Sequence, residues 1–319
     1  MATAEIQLKP KDYASEVHPD WCPGCGDFGI LNAVKQALAE LAIEPHKVGI
    51  FSGIGCSGKI AHYLKTYGFH TLHGRVLPVA SGAKLVNEEL TVLAMGGDGD
   101  GYGIGAGYFV NTGRRNLDMT YMVFNNGVYG LTKGQASPTR QRGEKTKSMA
   151  APEIQDNINP IGMAVSAGYT FIARGYAMDV KGLKELVVAA INHKGTSFID
   201  VLQPCPVYND IQTMEWFSGR DRPGRSPRVY KLTDDESFDP VVHDPLDAGE
   251  IVSKKQAALG KSYEWGDQIP IGLLYKIDLP TYEDRMRQRK GFEPGAEARS
   301  IIKDATPGQD IALTLEQYR

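Results

Sequence analysis

Three times within the first 130 residues a short apolar run breaks into a glycine-rich loop, and this feature constrains the fold more than any other. Residues 48–51 lead into GIGCSGK and a helix expected over 59–67. Residues 91–95 lead into GGDGDGYGIGAG and a helix expected to run to about residue 114. Residues 119–124 lead into NNGVYG. Upstream, residues 29–42 place Ile30, Ala33, Val34, Ala37, Leu38 and Leu41 at helical spacing, just after CPGCGD. Downstream, 170–173 and 197–202 read as strands around a helix expected over 180–193. Strands alternating with helices imply an α/β fold, a mostly parallel sheet with helices on both faces. No repeat of 20 to 50 residues marks a solenoid. Past Cys205 the periodicity fades, and 216–246 is rich in Pro, Gly and charge. The expected organisation is an N-terminal arm over 1–21, a ligand-binding domain over 22–211 and a loop-rich C-terminal extension over 212–319.

With 319 residues, 42% of them hydrophobic and 23% charged, the chain can bury a substantial core. A net charge of −3 argues against a protein held to nucleic acid by phosphate contacts. The first twenty residues lack a basic-then-apolar signal, and no uncharged apolar run is long enough to span a bilayer, so a cytoplasmic protein without membrane contact is expected.

In an open α/β sheet, ligands bind outside the carboxyl ends of the strands, where backbone amides and helix N-termini meet anions. GIGCSGK satisfies both GxGxxG and GxxxxGK. A dinucleotide site wants an acidic residue about 20 positions later, where His70, His73 and Arg75 stand instead; a P-loop wants Ser or Thr after the lysine, where Ile60 stands. The other two loops work as a pair. Between Gly99 and Asn125 lie 25 residues, about one β-α-β unit. Neighbouring strand ends would then aim Asp98 and Asn126 at one point, a carboxylate and an amide oxygen suited to Mg²⁺, while Gly97, Gly99 and Gly101 let the backbone approach a diphosphate. The plainer reading is helix and turn capping.

Four cysteines are too few for a disulfide scaffold at this length. Cys22 and Cys25 form CPGC before a helix, Cys56 sits in the first glycine loop, and Cys205 lies in QPCP after the last strand. Thiolates converging on one sheet edge suit a [4Fe–4S] cluster or zinc; unpaired thiols are the third reading.

GDG followed by about 25 residues and NN resembles the thiamine diphosphate motif. Together with HPDWCPGCGDFGIL, GIGCSGK, HTLHGRVLPVASGAKL and FNNGVYGLTKGQ, and with IPIGLLYK and LPTYEDR near the C-terminus, it resembles the β subunit of 2-oxoacid:ferredoxin oxidoreductases, closest to the 2-oxoglutarate and broad 2-oxoacid branches. The resemblance implies thiamine diphosphate with Mg²⁺ held by Asp98, Asn126 and the carbonyl of Val128. It implies one [4Fe–4S] cluster on Cys22, Cys25, Cys56 and Cys205. Ile54, Gly55, Cys56, Ser57, His73, Gly74, Gly97, Gly99, Asp100, Gly130 and Leu131 would line the cofactor, and Lys59 and Lys133 would face the 2-oxoacid. His73 is read as a contact to diphosphate or substrate, or as a hydrogen-bonded loop histidine. The implied reaction is coenzyme A-dependent oxidative decarboxylation of a 2-oxoacid, or its reverse, with electrons passed to ferredoxin. Pyruvate in place of 2-oxoglutarate is the alternative within this chemistry, and a nucleotide- or zinc-binding protein the alternative outside it. Thiamine enzymes also need a carboxylate at the aminopyrimidine. The family places it on a pyrimidine-binding domain of the α subunit, so an αβ or α2β2 assembly is expected.

Overall fold

The computed structural model describes residues 8–288 apart from 223 and 225, so the outer parts of the expected arm (1–7) and extension (289–319) lie outside the described residues. The first half runs α1 (Asp27–Glu40), β1 (Val48–Ser52), α2 (Ile60–Tyr63), β2 (Tyr67–His70), α3 (Val76–Val86), β3 (Thr91–Gly97), α4 (Ala106–Arg115) and β4 (Met119–Asn125). A small hairpin, β5 (Val128–Tyr129) and β6 (Gln135–Ala136), follows, and then α5 (Pro160–Ala167), β7 (Phe171–Tyr176), α6 (Val180–Asn192) and β8 (Thr196–Leu202). The extension adds α7 (Met214–Ser218), β9 (Val229–Lys231), α8 (Ala248–Ser262), β10 (Ile269–Lys276) and α9 (Tyr282–Arg287).

Eight strands form one sheet in the order β2-β1-β3-β4-β8-β7-β10-β9, parallel except where β10 runs against β7. The expected parallel sheet covered on both faces is thus present. Successive residues of the central strands enter two different cores. Ile50, Leu93, Met95, Met122, Phe124, Ile199 and Val201 pack with α1 and α6. Phe51, Val92, Ala94, Tyr121, Val123 and Phe198 pack with α3, α4, α5 and α8. Burial on both faces is why these strands read as nearly continuous apolar runs.

The helix expected over 59–67 stops at Tyr63. Leu64 turns extended (φ −110°, ψ 133°) and bridges to Ala14, and the aromatic-rich Tyr67–His70 pairs parallel with β1 as an edge strand. Helices α3, α5, α7, α8 and α9 lie outside the helices expected from the sequence. α5 carries a local signal, Asn159 capping the amide of Gly162 with proline at the first helical position. The expected arm is pinned down: Tyr13 is fully buried, and its hydroxyl donates to the carbonyls of Leu38 and Ile43 at 2.9 and 2.5 Å. The expected extension has long irregular stretches and also lends two strands to the main sheet. Among the described residues, no helix is long and apolar enough to cross a membrane.

Candidate cofactor site

From β1 the chain turns to β2 on one side and then crosses to β3 on the other. Loops leaving β1 and β3 therefore diverge, and such a switch point leaves a crevice at the carboxyl ends of the strands. A cavity of about 280 Å³ opens there. The loop after β1 gives it Ile54, Gly55, Cys56 and Ser57. The loop after β3 gives Gly97, Asp98, Gly99 and Asp100, and the segment after β4 gives Asn126, Val128, Gly130 and Leu131, with His73 completing the wall. Phe124, Tyr129 and Thr132 also line it, and the sequence reading had not singled them out.

Asp98 is buried at the centre of this site, and burial raises its carboxyl above the ordinary range. Opposing this, Oδ2 accepts from the Gly127 amide at 2.9 Å and from the Ser137 and Thr139 hydroxyls at 2.6 Å each, while Oδ1 accepts from the Gly99 amide at 3.0 Å. Three donors crowd one oxygen and one donor meets the other. Oδ1 therefore keeps acceptor capacity. Glycine is sterically required at 99, where a Cβ would lie 2.1 Å from the Tyr129 ring, while a Cβ at Gly97 would lie 3.2 Å from Ser57 Oγ, a tight contact that a small shift of the hydroxyl relieves.

The two asparagines after β4 diverge. Asn125 turns inward, its amide donating to Asp200 Oδ1 at 3.0 Å, while Asn126 lines the cavity with its Oδ1 accepting from the Val128 amide at 3.0 Å. Next to them, Gly127 adopts φ +71° and sends its N–H to Asp98.

Asp100 has a different part. Its Oδ1 accepts from the amides of Gly74 (2.8 Å) and Ile54 (3.3 Å) and stands 3.0 Å from His73 Nδ1, so one buried carboxylate stitches together the loops after β1, β2 and β3. Gly74 thus reaches the site through Asp100 and is not part of the cavity wall. Both lysines also fall outside the wall. Lys59 pairs with Asp20 at 3.0 Å, and Lys133 is exposed with a left-handed backbone (φ +79°) beside Gly134.

The four thiols occupy the same sheet edge. Cys25 closes a turn on Cys22, its amide donating to the Cys22 carbonyl at 3.0 Å, and the next amide, of Gly26, donates to Pro204 O beside Cys205 at 3.2 Å. Trp21 anchors the third, its indole N–H donating to the Cys56 carbonyl at 2.7 Å. Burial pushes Cys56 up to about 11 and Cys25 further, with Asp27 and Cys205 adding to both shifts. Cys205 is raised by burial too, while the backbone amides of Tyr208 and Val207 act in the opposite direction. Among the described residues no group of three or more His, Cys, Asp or Glu stands in place to hold a single metal ion. Asp27, fully buried beside Cys25 and raised by burial to about 6, was not anticipated; its only signal is its place one residue after the CPGCG turn.

Comparison with known proteins bears on this geometry. Residues 53–201 match the family model "Thiamine pyrophosphate enzyme, C-terminal TPP binding domain", and residues 205–291 match the family model for the C-terminal part of the pyruvate ferredoxin oxidoreductase beta subunit. The 2-oxoacid:ferredoxin oxidoreductase subunit beta of Saccharolobus solfataricus is 52% identical over 305 residues, covering 94% of this chain and 96% of that one. A 2-oxoglutarate oxidoreductase subunit KorB of Mycobacterium tuberculosis is 40% identical over 72% of this chain and 61% of its own length. The solved 2-oxoglutarate:ferredoxin oxidoreductase of Magnetococcus marinus, with 2-oxoglutarate, coenzyme A and succinyl-CoA bound, aligns with a TM-score of 0.80 and 37% identity over 95% of this chain and 97% of that one. The first glycine loop, the Asp98 and Asn126 loops and the strands between them thus lie inside a thiamine diphosphate-binding domain, which displaces the nucleotide-binding reading of the first loop. An enzyme of this kind works with partner subunits, and this chain belongs to the β-subunit family of the 2-oxoacid:ferredoxin oxidoreductases.

Proposed function

We propose that this chain, with its α subunit, takes part in coenzyme A-dependent oxidative decarboxylation of 2-oxoglutarate to succinyl-CoA and CO₂, or the reverse. A [4Fe–4S] cluster held by this chain's cysteines would supply one-electron transfer toward ferredoxin. The observation that carries the chemistry is the buried, one-sidedly saturated carboxylate of Asp98 at the glycine cradle. Support for the substrate is the Magnetococcus relative with 2-oxoglutarate and succinyl-CoA bound; more similar relatives, that of Saccharolobus among them, carry the broader name 2-oxoacid, which keeps pyruvate as the second reading.

The oxygen donors of the first site fit Mg²⁺. Asp98 Oδ1, Asn126 Oδ1 and the Val128 carbonyl are the proposed Mg²⁺ ligands. The amide oxygen of Asn126 spends one lone pair on Val128 N–H and retains the other. Gly97 and Gly99 give the diphosphate room against backbone. Thiamine diphosphate supplies an electron sink for decarboxylation when bound. This chain's residues do the remainder: Asp98 and Asn126 fix the metal, Asp100 holds the first glycine loop and His73 in register, and Lys59 and Lys133 offer positive charge to the substrate carboxylates. Cys22, Cys25, Cys56 and Cys205 are the proposed cluster ligands, one thiolate per iron.

Iron, acid-labile sulfide and thiamine content of the anaerobically purified complex tests this reading. About four irons, four sulfides and one thiamine diphosphate per copy of this chain are expected. Zinc without sulfide, or no thiamine, would overturn it.

A further inference from the structure

A second and larger cavity, about 540 Å³, lies at the carboxyl ends of β4, β8 and β7 under the irregular segments of the extension. That volume is within the range of small-molecule sites. Its wall carries carboxamides, among them Gln141, Asn157 and Gln212, and three aromatic side chains, Phe217, Tyr263 and Trp265. The only charged groups lining it among the described residues are Arg174 and Asp200, both buried in the floor at 2% and 1% exposure.

That pair is poorly made. Arg174 Nε stands 3.6 Å from Asp200 Oδ2, beyond hydrogen-bond distance, and Nη2 reaches only the Ser262 carbonyl at 3.5 Å. Arg174 Nε and Nη1 and Asp200 Oδ2 have no hydrogen-bond partner and almost no accessible surface, so a ligand in the cavity meets these donors only where the guanidinium shifts toward it. A buried guanidinium with unmet donors is costly, and the group that matches its planar fork is a carboxylate or phosphate. The volume and the carboxamide wall suit the smaller and less charged of the two. The floor is also wired to the first site. Asp200 Oδ1 accepts from Asn125 Nδ2 at 3.0 Å, and the single hydroxyl hydrogen of Thr139 is contested by Asn125 Oδ1 at 2.8 Å and Asp98 Oδ2 at 2.6 Å.

We propose that this cavity binds a small organic carboxylate at Arg174, and that its occupancy alters the affinity of the Asp98 site for Mg²⁺ and thiamine diphosphate. The second half rests on the diphosphate reading above; the first does not. Coupling of this kind is reciprocal, so each ligand shifts the other by the same factor.

Acetate is the probe, titrated calorimetrically into the complex of this chain with its α subunit, with acetamide as the neutral isostere. Binding of acetate and not of acetamide is expected, weakened at least tenfold by Arg174→Gln. Asn157→Trp, a substitution at an exposed rim position away from the buried pair, guards against a folding defect in the first variant and should block the mouth to the same effect. Absence of acetate binding, equal binding of acetamide, or binding that survives both substitutions would overturn the site. Acetate binding that leaves thiamine diphosphate affinity unchanged would overturn the coupling alone, and loss of all thiamine binding would count against the diphosphate reading instead.

Discussion

Lys59 Nζ stands 3.0 Å from Asp20 Oδ1, and the Tyr63 hydroxyl donates to the same carboxylate oxygen. The lysine proposed to meet the 2-oxoacid is therefore engaged by a carboxylate two residues before Cys22. Asp20 is largely exposed, so the pair is weak and readily exchanged for a substrate carboxylate. Lys59→Met is expected to raise KM for 2-oxoglutarate by roughly tenfold or more, the scale of one charge-assisted contact. Asp20→Asn, which releases the lysine, should lower KM with kcat unchanged. Steady-state kinetics of the reconstituted complex decide this, and an unaltered KM in Lys59→Met would remove the residue from the substrate site.

Asp98 divides its donors unevenly, three on Oδ2 and one on Oδ1. Asp98→Ala should abolish Mg²⁺-dependent thiamine diphosphate binding while iron and sulfide content stay at the wild-type level. Thr139→Val deletes one of the three anchors, a loss of about 1 kcal/mol, or roughly fivefold in cofactor affinity. Quenching of intrinsic fluorescence on cofactor titration reads both variants. Full cofactor binding by Asp98→Ala would refute its role.

How much of this was legible beforehand depended on the kind of constraint. The glycine loops were readable because a Cβ at Gly99 has nowhere to go, and a strand-loop-helix pattern fixes which end of the sheet they occupy. Asp100 was readable as a site residue but its part was not: its partners, the amides of Ile54 and Gly74, depend on loops meeting in space. The helix expected over 59–67 overruns α2 and meets the strand Tyr67–His70 at its first residue, because only the turn at Leu64, set by its bridge to Ala14, ends α2. β10 completes the sheet from about 70 residues downstream of β8, and no local periodicity announces an antiparallel partner for β7. The pair Arg174 and Asp200, on adjacent strands in register, is likewise invisible until β7 and β8 are paired.

Cys205 is the most buried of the four thiols and sits where the amides of Tyr208 and Val207 turn toward it. Cys205→Ala should lose the cluster, seen as disappearance of the iron–sulfur absorbance and of labile sulfide, while thiamine diphosphate binding persists. A variant retaining four irons would take Cys205 out of the ligand set.

No second set of β-α-β units exists among the described residues to supply a pyrimidine-binding domain. The isolated chain is therefore expected to be inactive with 2-oxoglutarate, coenzyme A and ferredoxin, and to gain turnover when the α subunit is added. Turnover by the isolated chain at the rate of the complex would contradict this division of labour.

His193 closes α6 with its ring buried, Nε2 2.8 Å from Thr170 Oγ1 and Nδ1 3.5 Å from Asp278 Oδ1. Burial pulls the imidazole down to about 4, and the partly compensating charge of exposed Asp278 does not restore it. Above pH ~6.5 the ring is neutral in folded and unfolded chains alike, and the residue adds no pH dependence. As pH falls from ~6.5 toward ~4, the unfolded chain takes up a proton that the folded one refuses. Stability drops across that window by up to roughly 3 kcal/mol, and below it the contribution is constant. His193→Gln keeps a polar partner for Thr170 and removes the titration, so its thermal midpoint should fall less steeply than that of the wild type between pH 6.5 and 4.5. Parallel curves for the two proteins in this range would show that the buried imidazole is protonated in the folded state.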